Sequence, residues 1–137
     1  MRYTSLGFLA LAEGLSEDIT TGLSKFSYLH VVSHNSTSRY KDQAVDIRQV
    51  GKELGARYIM EGGLRQAGTK VRINIQLLDT LTGTHLWAET FNRNLETADV
   101  FDVQDEITDR TVSTRELAEL ERRVAAGDSP RIEHAPH

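Results

Sequence analysis

The sequence predicts an α/β fold: a small mixed sheet with an antiparallel meander in its C-terminal half, helices packed on it, and a C-terminal helix. Three patterns predict it, namely a helical stripe near the N-terminus, three strands joined by tight turns between residues 57 and 91, and a second helical stripe after Asp99. The chain has 137 residues, of which 39% are apolar and 26% charged. This is the usual size and balance of one compact domain.

Composition argues against several classes of function. The formal net charge of -4 makes nucleic acid an unexpected partner, because such modules carry basic patches that neutralise phosphates. The chain has no cysteine, which excludes disulfides, thiolate zinc sites and thiol nucleophiles. The apolar run from Leu6 to Ala12 is too short for a membrane span and too soon followed by Glu13 for a signal peptide. We expect a cytoplasmic location by default, or a periplasmic one if a longer protein carries an upstream transmembrane helix.

The first elements are a helix and a short strand. Between Leu11 and Phe26 apolar residues recur at spacings of four and three, which places them on one helical stripe: Leu11, Leu15, Ile19, Leu23 and Phe26. Gly14 and Gly22 each cost such a helix ~1 kcal/mol relative to Ala. The β-prone run from Tyr28 to Ser33 predicts a strand, and the polar run over residues 33–42 predicts a surface loop.

A second, short helix is predicted after this loop. Asp46 and Gln49 have the spacing of a capping box, and Gly55 suits a left-handed C-cap. The apolar residues between them are spaced at three and four: Ile47, Val50 and Leu54.

Three strands joined by short connections follow, from Arg57 to Gln66, from Lys70 to Leu77 and from His85 to Phe91. The middle strand alternates strictly, which predicts one buried face made of Val71, Ile73, Ile75 and Leu77 and one wet face made of Arg72, Asn74 and Gln76. Turns at residues 67–69 and 79–83 join the strands into a meander.

The last third predicts a docked helix with a charged continuation. Val100, Val103 and Ile107 form its stripe, whereas the residues beyond Thr111 are mostly charged. The continuation is either a solvated face or a surface for a partner, and the polar end of the chain is expected to fray.

Several aromatic, histidine and glycine residues could form a functional site, but each also has an ordinary structural interpretation. Tyr58, Trp87 and Phe91 could form an aromatic ligand platform, although aromatics at this spacing are usually core residues. His30 and His34 could hold a metal with Asp42 or Asp46, but in an extended segment their rings diverge, so no metal site is expected. The pair Gly62 and Gly63 lacks the following helix of a phosphate loop, which favours close backbone packing. We expect no catalytic residue and no cofactor.

Three runs of the sequence resemble the TolB amino-terminal-like domain, as it occurs in bacterial adenylate cyclases and winged-helix regulators, often ahead of tetratricopeptide repeats. These runs are GLSEDITTGLSKF, DIRQVGKELGARYIMEGGLRQAGTKVRINIQLLDTLTGTHLWAETFNR and DVFDVQDEIT. The most recognisable pattern within them is Asp79, Thr82, Gly83 and Trp87, which we interpret as turn and packing residues. The resemblance implies a TolB amino-terminal-like domain over residues 1–112 and a helical extension with a polar tail over 113–137.

The resemblance also implies a function. It indicates a non-catalytic interaction or regulatory module of a larger bacterial signalling protein, with any cyclase activity in a separate domain. The expected partner is a protein or a neighbouring repeat domain, or a second copy through an exposed sheet edge. The alternative is a small-molecule sensor that uses Tyr58, Trp87 and Phe91. Members of the family begin with an apolar strand that this sequence lacks, so we expect residues 1–8 to replace it, another chain to supply the edge, or the sequence to be a truncated piece.

Overall fold

The computed structural model of the protein describes residues 2–24, 26, 29–33, 47–129 and 131, and for residues 2–10 and 29–33 it describes the backbone alone. The elements of these residues follow one another as α1 (Arg2–Gly22), β1 (Leu29–Ser33), α2 (Ile47–Leu54), β2 (Tyr58–Ala67), β3 (Lys70–Asp79), β4 (Thr84–Asn94), α3 (Val100–Val112) and α4 (Arg115–Ala125). The predicted α/β fold with its C-terminal helix is confirmed.

The sheet has four strands in the order β1-β2-β3-β4 among the described residues. β1 runs parallel to β2, whereas β2, β3 and β4 are antiparallel. The parallel pair requires a crossover connection, and α2 lies within it. Gly68 and Gly83, with φ of +64° and +77°, form the turns that return the chain between the antiparallel strands. The sheet is therefore mixed, and its meander is the predicted one.

One face of the sheet carries the main hydrophobic core. The predicted stripe of α1 is buried throughout its length, as are the four inward residues predicted for β3. Further core residues come from both C-terminal helices: Val103, Ile107, Leu117 and Leu120. Complete burial of a Leu or Ile side chain contributes about 1.5–3 kcal/mol, so these periodic residues dominate the stability of the fold.

Close approach of helices explains the glycines that weaken α1 on propensity alone. A Cβ on Gly14 would overlap the side chain of Gln104 in α3, and one on Gly22 would lie 2.8 Å from Cγ1 of Val112. Both glycines thus lie on the side of α1 that meets α3. The Nε2 group of Gln104 donates a hydrogen bond to Asp18 of α1 at 3.3 Å across the same contact.

α2 comes close to the neighbouring chain at Gly51. A Cβ on Gly51 would overlap Thr80 and come within 3.0 Å of the carbonyl oxygen of Ala56. Thr80 is fully buried, and its hydroxyl donates to the Ala56 oxygen at 2.7 Å. Glycine is required at this position because the helix backbone and the Thr80 side chain occupy adjacent space.

Several boundaries differ from the predictions. α1 begins at Arg2 rather than Leu11 and ends at Gly22, so residues 2–8 are helical and do not replace a strand. Tyr3, Thr4, Ser5 and Phe8 are only average helix formers and Gly7 is a poor one, so local propensity does not explain why the helix extends to Arg2. β1 begins at Leu29. Tyr28, the predicted loop over residues 34–42 and the predicted cap Asp46 lie outside the described residues.

The C-terminal segment is two helices. Asp99 caps α3, its Oδ1 accepting hydrogen bonds from the amides of Phe101 and Asp102, and Thr114 caps α4. Leu117 and Leu120 of α4 belong to the same core cluster as the strands. The division of the chain at residue 112 stays a prediction.

The expected close packing of Gly62 and Gly63 is wrong. A Cβ on Gly63 would meet nothing within 4 Å, and one on Gly62 would make only an ordinary contact of 3.7 Å with the oxygen of Asn74. Neither glycine has a positive φ. The two residues are compatible with a regular strand, so local sequence signals could not decide their role.

Candidate functional site

The three aromatic residues predicted as a ligand platform lie on the helix-covered face of the sheet. Tyr58 begins β2, whereas Trp87 and Phe91 are in β4, opposite Leu77 and Ile73 of β3. Tyr58 and Phe91 are buried in the main core, and Trp87 is half-buried against it. The first two offer little surface to a ligand, so the binding role of this set stays a prediction.

The polar end of Tyr58 is held by the C-terminal segment. Its hydroxyl donates to Oδ2 of Asp128 at 2.7 Å. Burial, followed by this hydrogen bond to a carboxylate, raises the pKa of Tyr58 to about 12. The hydrogen bond from Tyr58 and the nearby Arg57 guanidinium lower the pKa of Asp128. A residue of the tail that was expected to fray is therefore fixed to the start of β2.

Arg57 joins three separate parts of the chain. Its Nη1 contacts Asp128 at 2.7 Å and its Nη2 contacts Asp79 at 3.3 Å. Asp79 is buried, and its Oδ1 also accepts the amide of Leu81 at 2.9 Å. The pKa of Arg57 is raised by these carboxylates against the opposing effect of burial, which is the largest single influence on it. We name the cluster of Arg57, Tyr58, Asp79 and Asp128 the closing cluster.

The predicted role of Asp79 and Gly83 as turn residues is confirmed. The amide of Gly83 donates to the carbonyl oxygen of Asp79 at 2.8 Å, and Gly83 has a positive φ. The second role of Asp79, its ion pair with Arg57, has no local signature in the sequence, because that contact depends on the register Tyr58↔Asp79.

Phe91 lies beneath two ion pairs that join β4 to α3. The guanidinium carbons of Arg93 and Arg110 are 5.6 and 5.9 Å from its ring centre. Arg93 pairs with Glu106 and Arg110 pairs with Glu89. The hydrogen bond from Arg93 is the main cause of the lowered pKa of Glu106. These charges are satisfied within the fold and cover the aromatic ring.

Two sheet edges are open in the described part of the chain. β1 pairs with β2 on one side, and β4 pairs with β3 on one side. On the other side of each strand, none of the described strands is paired, so backbone N–H and C=O groups there could pair with a further strand.

The helix after Asp99 presents an apolar side chain at its start. Phe101 is 71% exposed, an unusual position for a large aromatic residue. Most of the other exposed residues of α3 and α4 are charged, among them Glu119, Glu121 and Arg122 of α4. The predicted charge-rich continuation is thus a solvated face above the buried Leu117 and Leu120.

The residues considered for a metal site have no described side chains. His34, Asp42 and Asp46 lie outside the described residues, and the side chain of His30 is not described. Within the described ranges, no group of three or more acidic or histidine side chains is placed to hold a metal ion. No described helix is long and apolar enough to cross a membrane.

Comparison with known proteins identifies the kind of domain. Residues 6–110 match the family described as HilA/YgeH-like transcriptional regulator, second domain. The chain is 47% identical over 122 residues to "Putative adenylate cyclase 3" of Rhizobium meliloti (strain 1021), covering 89% of this chain and 20% of that protein. The chain therefore spans about a fifth of the length of this relative. Both findings confirm the resemblance predicted from the sequence.

Solved structures show more distant likenesses. TolB from Acinetobacter baumannii aligns with 66% of this chain and 28% of its own at 12% identity and a TM-score of 0.44. Lipoprotein GNA1162 from Neisseria meningitidis aligns with 80% of this chain and 71% of its own at 12% identity and a TM-score of 0.40.

Proposed function

The chain belongs to the family of the second domain of HilA/YgeH-like transcriptional regulators, and from that membership we propose that it is a non-catalytic module that binds another protein. A regulatory setting is common to the matched family and to the adenylate cyclase name of the Rhizobium relative. The matched region is one fifth of that relative, so cyclase chemistry belongs to a separate domain in this proposal.

The observation that carries the proposal is the one-sided pairing of β1. The five residues Leu29–Ser33 are paired along their full length with β2 on one side. Addition of a strand from a partner to such an edge satisfies main-chain groups and is a recurrent mode of protein recognition. A second copy of the chain and a neighbouring repeat domain are the two partners that we propose for this edge.

A second contact is proposed at the start of α3. Exposure of the Phe101 ring to water brings no benefit to the isolated chain, whereas burial of a large aromatic side chain is a frequent anchor of protein interfaces. The helix and the β1 edge together would give a partner one backbone contact and one side-chain contact.

The alternative function, small-molecule sensing through Tyr58, Trp87 and Phe91, has less support. Tyr58 and Phe91 are buried, and the polar atom of Tyr58 is occupied by Asp128. A ligand would have to displace core packing to reach them, at a cost of several kcal/mol.

The proposal can be tested with the chain alone and with a longer protein that contains its neighbouring domains. Light scattering over a wide concentration range measures self-association, and amide hydrogen exchange locates it. We expect residues 29–33 to gain protection on association, while the amides of β3, which are already paired on both sides, stay unchanged. Phe101→Ser should weaken association, whereas the matched control Leu81→Ser, which replaces a residue 56% exposed in the turn before β4, should not.

The proposal fails if the chain is monomeric at every concentration and the β1 amides exchange equally fast in the longer protein. It also fails if metabolite binding is lost in Trp87→Ala with no loss of thermal stability, because that result favours the sensor.

A further inference from the structure

The end of the meander at the turn between β2 and β3 contains a concentration of positive charge. A hollow of about 600 Å³ lies there, lined by the ends of β2, β3 and β4. Its lining includes Arg65, Lys70, Arg72 and Arg93, and no described residue that lines it carries a carboxylate. This is unexpected in a chain whose formal net charge is -4.

Two of these arginines face each other across neighbouring strands. Arg65 of β2 and Arg72 of β3 are direct partners in the antiparallel register, so their Cα atoms are about 4.5–5.5 Å apart and their side chains lie on one face. Both are exposed. Like charges placed directly opposite in a sheet destabilise it, and the fold gains nothing visible from this pair.

The basic side chains that line the hollow differ in the hydrogen bonds and ion pairs that they make within the protein. Arg93 is committed to Glu106, whereas the side chains of Arg65 and Lys70 make no hydrogen bond or ion pair with the described part of the chain. Arg72 is held by one hydrogen bond, in which its Nε donates to Oδ1 of Asn92 at 2.8 Å. That bond orients the guanidinium and leaves its two Nη groups for another acceptor.

We propose that this hollow binds a small molecule that carries a phosphate group, with Arg65 and Arg72 as its principal contacts and Lys70 as a third charge. Two guanidinium groups side by side match the several oxygens and the double charge of a phosphate. The volume of the hollow is within the range of small-molecule sites. The proposal is independent of the protein-binding function above, because the hollow lies at the turn end of the meander and involves neither β1 nor Phe101.

Titration with inorganic pyrophosphate at low salt tests the site. The Nε–H signals of Arg65 and Arg72 in NMR spectra should shift saturably. Arg65→Gln and Arg72→Gln should each weaken binding by about tenfold, since each removes charge-assisted hydrogen bonds. The matched control is Arg115→Gln, which makes the same change in charge on an exposed residue of α4 and should bind as the unaltered chain does.

Titration with inorganic phosphate and with succinate, which are both dianions at slightly alkaline pH, separates phosphate recognition from attraction of any dianion at equal ionic strength. Equal affinity for succinate and inorganic phosphate overturns the assignment to phosphate, and equal affinity of Arg72→Gln and Arg115→Gln for pyrophosphate overturns the site itself. Shifts spread evenly over all exposed arginines would likewise overturn it. Because Arg65 and Arg72 are exposed, both variants should fold, which their thermal midpoints will verify.

Discussion

The two ends of the β2–β3 hairpin differ in how their charges are neutralised. At the end away from the turn, the register Tyr58↔Asp79 brings Arg57 to a buried carboxylate. At the turn end, the register Arg65↔Arg72 places two positive charges opposite each other. Arg57 is therefore neutralised within the fold, whereas no acidic side chain of the described residues pairs with Arg65 or Arg72.

Two glycines, Gly51 and Gly63, differ in how closely they are packed. Gly51 lies against Thr80, which follows the end of β3, so tightly that no Cβ fits, whereas a Cβ on Gly63 in the middle of β2 would meet nothing within 4 Å. Packing thus requires glycine at position 51, whereas at position 63 it does not.

The largest effect is expected from Gly51→Ala, which tests the tight packing of α2 against Thr80. Alanine favours a helix by ~1 kcal/mol, but a clash with both a buried side chain and backbone costs about 3 kcal/mol. We therefore expect a net loss of about 2 kcal/mol in the free energy of unfolding, measured by urea denaturation. Gly63→Ala is the matched control and should be neutral or stabilise by about 0.5 kcal/mol. Equal effects of the two substitutions would contradict the close packing of Gly51 against Thr80.

A smaller effect is expected from Tyr58→Phe, which removes one hydrogen bond from the closing cluster and keeps the buried ring. The free energy of unfolding should fall by about 1 kcal/mol. Thermal or urea unfolding near neutral pH measures this loss, and no loss would show that Asp128 does not depend on the hydroxyl.

The same variant tests the pKa of Tyr58. Because the folded pKa of about 12 exceeds the usual value of about 10, the folded state binds the proton more tightly. The stability from this group is complete below pH 10 and is lost as the pH rises toward 12. The stability of the unaltered chain should fall more steeply across that window than that of Tyr58→Phe, and parallel curves would contradict the assignment.

The smallest effect is expected from Arg65→Gln at the turn end of the hairpin. Removal of a charge that faces Arg72 should raise the free energy of unfolding by about 0.2–0.5 kcal/mol at low salt, and the gain should shrink as salt screens the pair. A loss of stability instead would show that Arg65 serves the fold, and would make the two ends of the hairpin alike.

Sequence patterns predicted the features that depend on a few adjacent residues. The stripe of α1, the alternation of β3 and the turn at Gly83 were all confirmed, because hydrophobic period and glycine conformation are properties of a few adjacent residues. The same patterns missed the helical start at Arg2. They also missed the break at Ser113, where Thr114 begins a second helix with its own buried residues.

The candidate sites were harder to predict. Tyr58, Trp87 and Phe91 attract attention as aromatics, yet two of them are buried. Arg65 and Arg72, seven residues apart, have no local signature at all. Their meeting depends on the length of the turn between β2 and β3, which sets the register.

By itself, the sequence determined the α/β class, the order of the main elements and the residues of the core, since burial of apolar side chains follows their spacing along each element. Only the tertiary structure decided which polar groups are neutralised. Asp128 reaches Tyr58 across 70 residues of chain, and Arg72 meets Arg65 through strand pairing. Coulomb and hydrogen-bond energies depend on distances in space, which the order of residues does not specify until the chain has folded.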